Sequence, residues 1–174
     1  MNASRLTKWD EHWSARLRIA DRPGGLRTLA AFLAHSGDSW FWAAGLLATI
    51  AWGSADGRVW AIRILVAIAA TAVVVMAIKL LVRRRRPAGE WGSIYRLTDP
   101  HSFPSGHAAR AVLLAVLITG WGPPWLAPLV ILWAPLVSLA RVAMGVHYLS
   151  DVVAGAVLGL AAGAVALAST RMVL

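Results

Sequence analysis

Val59–Val82 reads VWAIRILVAIAATAVVVMAIKLLV and stops against Arg83-Arg84-Arg85-Arg86-Pro87. As a helix this stretch rises roughly 36 Å, enough to cross a hydrocarbon core with some tilt. A run of arginines at its end is the usual stop signal at a membrane face. Working outward, apolar stretches of the same kind recur. Ser39–Gly53 is short, but Trp40, Trp42 and Trp52 stand at its ends as aromatic anchors do. Ser105–Trp121, Trp125–Ala143 and Tyr148–Ser169 follow. The breaks between them carry turn residues: Ser54-Ala55-Asp56-Gly57, a polar loop over 88–103, Gly122-Pro123-Pro124 and Gly145. Pro128 and Pro135 predict kinks in the fourth span. The fold class is therefore all-α, an integral membrane bundle of about five spans.

Composition agrees. Of 174 residues 59% are hydrophobic and 14% charged, where a soluble domain carries about 25% charged residues. The net charge of +9 would suggest nucleic acid for a soluble protein. Here the basic residues flank apolar spans, which points to anionic lipid headgroups or an anionic substrate and away from nucleic acid. With no cysteine there is no disulfide framework and no thiolate metal site. The first 25 residues are charged throughout and lack the apolar core of a signal peptide.

Residues 4–20 predict an amphipathic helix at the N-terminus. Thr7 and Asp10 fit a capping box. Leu6, Trp9, Trp13, Leu17 and Ala20 share one face, with Arg5, Lys8, Arg16 and Arg18 elsewhere, the pattern of a helix lying in the membrane interface. Pro23-Gly24-Gly25 breaks the chain, and Leu26–His35 is too short to span. Residues 1–37 thus form an interfacial segment and 38–174 the membrane-spanning domain. In the last span Gly155, Gly159 and Gly163 recur at intervals of four. Such a stripe permits close helix approach in lipid. It fits packing against another span of the chain better than the alternative, a homodimer face.

Five spans bring three loops to one membrane face, and the polar residues there are unusual. Lys79 and Arg86 are seven apart, which would project both from one side of a helix end. His107 opens the third span, Arg141 ends the fourth, and His147 and Asp151 are four apart at the start of the fifth. Charge within apolar segments is costly and marks function by default. Several cations converge there with one nearby carboxylate, so an anion should complete the site. Phosphate suits guanidinium forks. Pro104-Ser105-Gly106-His107 adds a helix N-terminus, where Ser105 offers a hydroxyl, Gly106 close backbone approach and the free amides an anion site. His147 paired with Asp151 has the elements of an activated nucleophile, and no serine or cysteine is clearly placed to attack instead. His107 is then free to protonate a leaving oxygen. The excess of cations argues against a divalent metal, and no cofactor is expected.

Lys79-x6-Arg86-Pro87, Pro104-Ser105-Gly106-His107 and Arg141-x5-His147-x3-Asp151 together resemble the three-part signature of the type-2 phosphatidic acid phosphatase superfamily. The resemblance covers residues 79–151. It implies a metal-independent phosphatase in which His147 attacks phosphorus to form a phosphohistidine, Asp151 supports it and His107 protonates the leaving group. It also implies that Lys79, Arg86, Ser105, Gly106 and Arg141 hold the phosphate. The implied location is a bacterial inner membrane. The chain departs from the pattern at Ala140, where the family usually has serine, and in having five spans rather than six.

Other residues take plainer readings. Arg83, Arg84 and Arg85 are assigned to lipid headgroups, His12, His35 and His101 to the surface, and most tryptophans to interface anchoring. Arg110, one turn after His107, is near enough to touch substrate. Outside the motifs, eleven basic residues fall on the site's face (Arg5, Lys8, Arg16, Arg18, Arg22, Arg27, Arg83, Arg84, Arg85, Arg96 and Arg110) against Arg58, Arg63 and Arg171 on the other. The positive-inside rule then places the site on the cytoplasmic face. The expected substrate is phosphatidic acid, phosphatidylglycerol phosphate, or a polyprenyl phosphate or diphosphate, including a polyprenyl-linked sugar phosphate. An anion or lipid-phosphate transporter would instead show inverted repeats and tolerate loss of His147. A non-catalytic lipid-phosphate binder would have no use for the acid–base pair.

Overall fold

The computed structural model describes residues 3–89, 91 and 93–171. The side chains of Arg96 and Arg171, and all of residue 174, lie outside the described residues. The helices are α1 (Ala3–Leu17), α2 (Gly25–Ser36), α3 (Ser39–Trp52), α4 (Ala55–Val82), α5 (Ser93–Thr98), α6 (Gly106–Trp121), α7 (Ala127–Ala143) and α8 (Leu149–Arg171). A 3-10 turn, Pro124–Leu126, leads into α7. Among the described residues three helical stretches are long and apolar enough to cross a membrane, Ala55–Val82, Pro124–Ala143 and Leu149–Ser169. The shorter apolar helices Ser39–Trp52 and Gly106–Trp121 complete the five.

The most buried of these is α6. It is sandwiched between α8 and α7 and also touches α4, so Ala111, Leu113, Leu114, Leu117 and Ile118 are lost from the surface. Small residues make that possible. A Cβ on Gly155 would lie 2.4 Å from the Ser105 carbonyl oxygen, and one on Gly159 2.1 Å from that of Ala109. One on Gly163 would meet the Val116 side chain at 2.6 Å. The glycine stripe is thus consumed inside the chain, against α6. It is not available as the homodimer face that its spacing also allowed. Of the two prolines in the fourth span, only Pro135 is interior to α7. Pro128 sits in the first turn, where a missing N–H costs nothing.

The N-terminal helices are docked. α2 lies against α7 through Ala30, Ala34, Ala140 and Met144. Ala140 therefore faces α2 in a cluster of small apolar side chains, which accounts for alanine at that position. α1 leaves Leu6, Trp9, Trp13 and Leu17 exposed. Its expected capping box is not formed, because the helix begins at Ala3 and Thr7 is already inside it. Asp10 reaches α8 instead. It accepts from the Ser150 amide at 3.0 Å, while Ser14 accepts from the Leu149 amide at 2.9 Å. Side chains of one helix thereby satisfy the orphan donors that open another.

Candidate active site

The end of α4, the start of α6 and the α7–α8 hinge meet at one end of the bundle, around a cleft of about 200 Å³. Lys79, Arg86, Gly106, His107, Arg141 and His147 all line it. The structure thus gathers residues of all three motifs. Ser105 and Asp151 stand directly behind, wholly buried, with the Ser105 amide donating to the Asp151 carbonyl at 2.9 Å.

Lys79 and Arg86 do not meet as sequence spacing suggested. α4 ends at Val82, and Arg83 adopts a left-handed conformation (φ 50°) that closes the helix. Arg86 therefore arrives from the loop beyond. The two cations are joined by Asp99. Its Oδ2 accepts from Lys79 Nζ and from Arg86 Nη2 at 2.9 Å, while Arg86 Nε donates to the Asp99 carbonyl at 2.7 Å. Lys79 also donates to the His101 carbonyl at 2.9 Å. The expectation of one carboxylate near the cations is corrected. Asp99 sits on Lys79 and Arg86, and Asp38 lies 2.7 Å from His107.

His147 is wholly buried in the hinge just before α8. Arg86 Nη1 lies 3.1 Å from its Nε2. A guanidinium can only donate, so the lone pair is on Nε2 and the ring proton on Nδ1. Nδ1 faces Asp151 Oδ2 at 3.5 Å, an ion-pair distance longer than an ordinary hydrogen bond. Burial, aided by the Arg86 and Arg141 charges and opposed by Asp151, pushes the His147 imidazole down to about 3. Above that pH it is neutral, with its Nε2 lone pair accepting from Arg86.

Asp151 is held on three sides. Its Oδ2 accepts from the Tyr148 amide at 2.8 Å, and its Oδ1 from Arg84 Nη1 at 2.8 Å. Arg84 also pairs with Asp10 of α1 at 2.8 Å and stacks over the Tyr148 ring at 3.9 Å. Its assignment to lipid headgroups is therefore wrong. Lying between two carboxylates, it ties α1 to the start of α8. Arg110 is also engaged within the protein. Its Nε and Nη2 donate to the Gly37 carbonyl and its Nη1 to Ser39 Oγ, so it holds the α2–α3 turn, although part of it still lines the cleft. His35 is half exposed but bonded to Asp38 at 3.0 Å.

Ser105 is the N-cap of α6, accepting from the Ala108 amide at 3.4 Å. Gly106 opens the helix with only Val75 near the place of a Cβ. Below these polar groups the cleft runs along one stripe of α4, Ile68, Ala72, Val75 and Met76, spaced to share a face. One end of the cleft is thus cationic and the other apolar, which suits a phosphate carried on a hydrocarbon chain.

Sequence comparison agrees with that geometry. Residues 60–173 match the PAP2 superfamily. The decaprenylphosphoryl-5-phosphoribose phosphatase of Mycobacterium tuberculosis is 38% identical over 151 residues, covering 84% of this chain and 81% of that protein. A lipid A 4'-phosphatase from Bacteroides thetaiotaomicron is 45% identical over 58 residues, 33% of this chain and 26% of its own. In fold, the chain is similar to a transmembrane PAP2-type phosphatidylglycerolphosphate phosphatase from Bacillus subtilis (TM-score 0.78, 22% identity, 99% of this chain and 90% of that one). It is also similar to LpxE of Aquifex aeolicus (TM-score 0.70, 23% identity, 90% and 93%). With the family match spanning all three motifs, and a relative aligned along most of both chains, this membrane protein belongs to the PAP2 superfamily of lipid phosphatases.

Proposed function

We propose that the chain removes a phosphate from a polyprenyl-linked substrate through a phosphohistidine on His147. The observation that carries the chemistry is the contact of Arg86 with His147 Nε2, 3.1 Å. It sets the lone pair beside the cation that anchors the anion. Lys79, Arg86 and Arg141, with Ser105 and the Gly106 amide, hold the phosphate oxygens and neutralise charge as it develops. His147 Nε2 attacks phosphorus, and the P–O bond to the sugar oxygen of the lipid-linked substrate breaks as His107 donates a proton to that leaving oxygen. Water then attacks the phosphohistidine while His107 takes back a proton, and phosphate leaves. Asp151 stabilises the positive charge that the His147 ring acquires on attack. No step needs a metal.

The apolar stripe on α4 supports a lipid-borne phosphate, and the long alignment with a decaprenylphosphoryl-5-phosphoribose phosphatase favours a polyprenyl-linked sugar phosphate among the candidates. The experiment is phosphate release by purified protein in detergent. It compares a polyprenyl-linked sugar phosphate, a polyprenyl diphosphate, phosphatidylglycerol phosphate and phosphatidic acid, each with and without EDTA. Preference for the first, unchanged by EDTA, is the expected result. Loss of activity in EDTA would overturn the mechanism, and preference for a glycerolipid the substrate.

Asp99 bears on binding. Its carboxylate occupies the two cations that the substrate phosphate needs, so substrate must displace it. Asp99→Asn is expected to lower KM about tenfold, worth about 1.4 kcal/mol, with kcat little changed. Steady-state kinetics checks this, and a raised KM would show that Asp99 helps to hold the cations in place.

Sidedness rests on charge. Arg84 and Arg110 are bound within the protein, which leaves nine orienting cations on the site's face against three on the other. We infer a cytoplasmic active site. A reporter fused at residue 174 is then expected outside the membrane, and a cytoplasmic reporter would reverse the assignment.

A further inference from the structure

The two-residue connection Gly37-Asp38 between α2 and α3, with Ser36 and Ser39 on either side, is fastened from three helices. Arg110 of α6 binds the Gly37 carbonyl and Ser39 Oγ. The Trp42 indole of α3 donates to the Ser36 carbonyl at 3.0 Å, and the Trp133 indole of α7 to Ser36 Oγ at 2.9 Å. Gly37 is pressed so close that a Cβ would lie 2.8 Å from the Val137 side chain and 3.4 Å from Cδ2 of the His107 ring.

This turn delivers a carboxylate. Asp38 occupies the N-cap position of α3, where aspartate ordinarily accepts from a helix amide, yet it makes no such bond. Its Oδ1 lies 2.7 Å from His107 Nε2 instead. Its Oδ2 is held by His35 Nδ1 at 3.0 Å and the Trp40 indole at 3.3 Å. The side chain is only 14% exposed. Burial would raise the Asp38 carboxyl, but the hydrogen bonds and charges of His107 and His35 outweigh it and hold the group well below the usual carboxylate range.

We propose that Asp38 is the positioning residue for His107, accepting the Nε2 proton so that the ring presents Nδ1 to the cleft and its charged form is stabilised there. The site then has two carboxylate–histidine pairs, Asp151–His147 for attack and Asp38–His107 for proton transfer. As the P–O bond breaks, the proton moves from His107 Nδ1 to the leaving oxygen. As water attacks the phosphohistidine, a proton returns to Nδ1. The Nε2 proton stays against Asp38 throughout. This rests on His107 being the acid.

The test exploits leaving-group basicity. A polyprenyl-linked sugar phosphate must expel a strongly basic alkoxide, whereas p-nitrophenyl phosphate expels a phenolate that departs without an acid. With full-length protein in detergent, the rate of the first turnover is measured on both, so that the shared hydrolysis of the phosphohistidine does not mask the first step. Asp38→Asn is expected to slow the sugar phosphate about 100-fold and to leave the nitrophenol burst within about threefold of wild type. His107→Gln should show the same split, larger. Asp38→Glu, which keeps the charge on a longer arm, should show a smaller split, and it carries the test if Asp38→Asn does not fold. Equal losses on both substrates in the Asp38 variants, or no loss on either, would overturn the proposal while leaving His107 as acid. Equal losses in His107→Gln would overturn the acid assignment and the proposal with it.

Discussion

His147→Ala is expected to lower kcat for phosphate release by at least about 10³-fold, with no covalent phosphoenzyme trapped on acid quench. Three features converge on this residue. It is wholly buried, it is neutral at physiological pH, and its Nε2 is beside Arg86. Removing the ring removes the attacking atom, and no serine or cysteine lines the cleft to replace it among the described residues apart from Ser39. Ser39 Oγ accepts from Arg110, and the other hydroxyl on the cleft, Thr71, lies about two turns back along α4 from Lys79. Radiolabelled substrate and acid quench test the point directly. Wild-type turnover in the variant would assign the chemistry to another residue, whereas equal loss of lipid binding would mark His147 as structural. The neutral state also has a sign. Activity should not fall with His147 protonation until the pH approaches about 3, so any acid limb nearer neutrality belongs to another group or to the substrate.

The second large effect is on stability. Gly159→Ala is expected to destabilise the bundle by about 3 kcal/mol, the upper part of the range for overpacking. The added Cβ would lie 2.1 Å from the Ala109 carbonyl oxygen and 3.0 Å from the Leu113 amide nitrogen. Both are backbone atoms of a buried helix and cannot swing aside, so α8 must move away from α6. Activity should fall as well, because the same seam seats Ser105 against Asp151. Gly45→Ala in α3, whose Cβ would enter open space, is the matched control and should raise stability by up to about 1 kcal/mol, because alanine is the better helix former. Reversible unfolding in mixed detergent micelles measures both. Equal stability of the two variants would show that the helices separate at little cost.

The two experiments probe different things that one seam joins. α6 carries Ser105, Gly106 and His107 at its start, and α8 follows directly on His147 and carries Asp151. Close packing of α6 on α8 brings His107 and His147 to one cleft. The glycines that look like a membrane association motif are therefore part of how the active site is assembled.

Much of this was legible in the chain itself. Apolar stretches long enough to span, with tryptophan and arginine at their ends, specify a membrane bundle because backbone groups in hydrocarbon must be satisfied within a helix. The motif residues could be singled out because charge in such stretches is expensive unless used. Tertiary structure decided which carboxylates serve those residues. Asp10, Asp38 and Asp99 lie in segments where an aspartate reads as an ordinary cap or loop residue, and the site groups they meet are 13 to 140 positions away. It also decided that Arg84 and Arg110 are internal fasteners, that Arg86 reaches the site from beyond a helix end, and that the glycine stripe faces inward. Local pattern records how each segment satisfies its own backbone and meets lipid. Pairing between distant charges depends on where five helices and their connections come to rest, and that is set by packing.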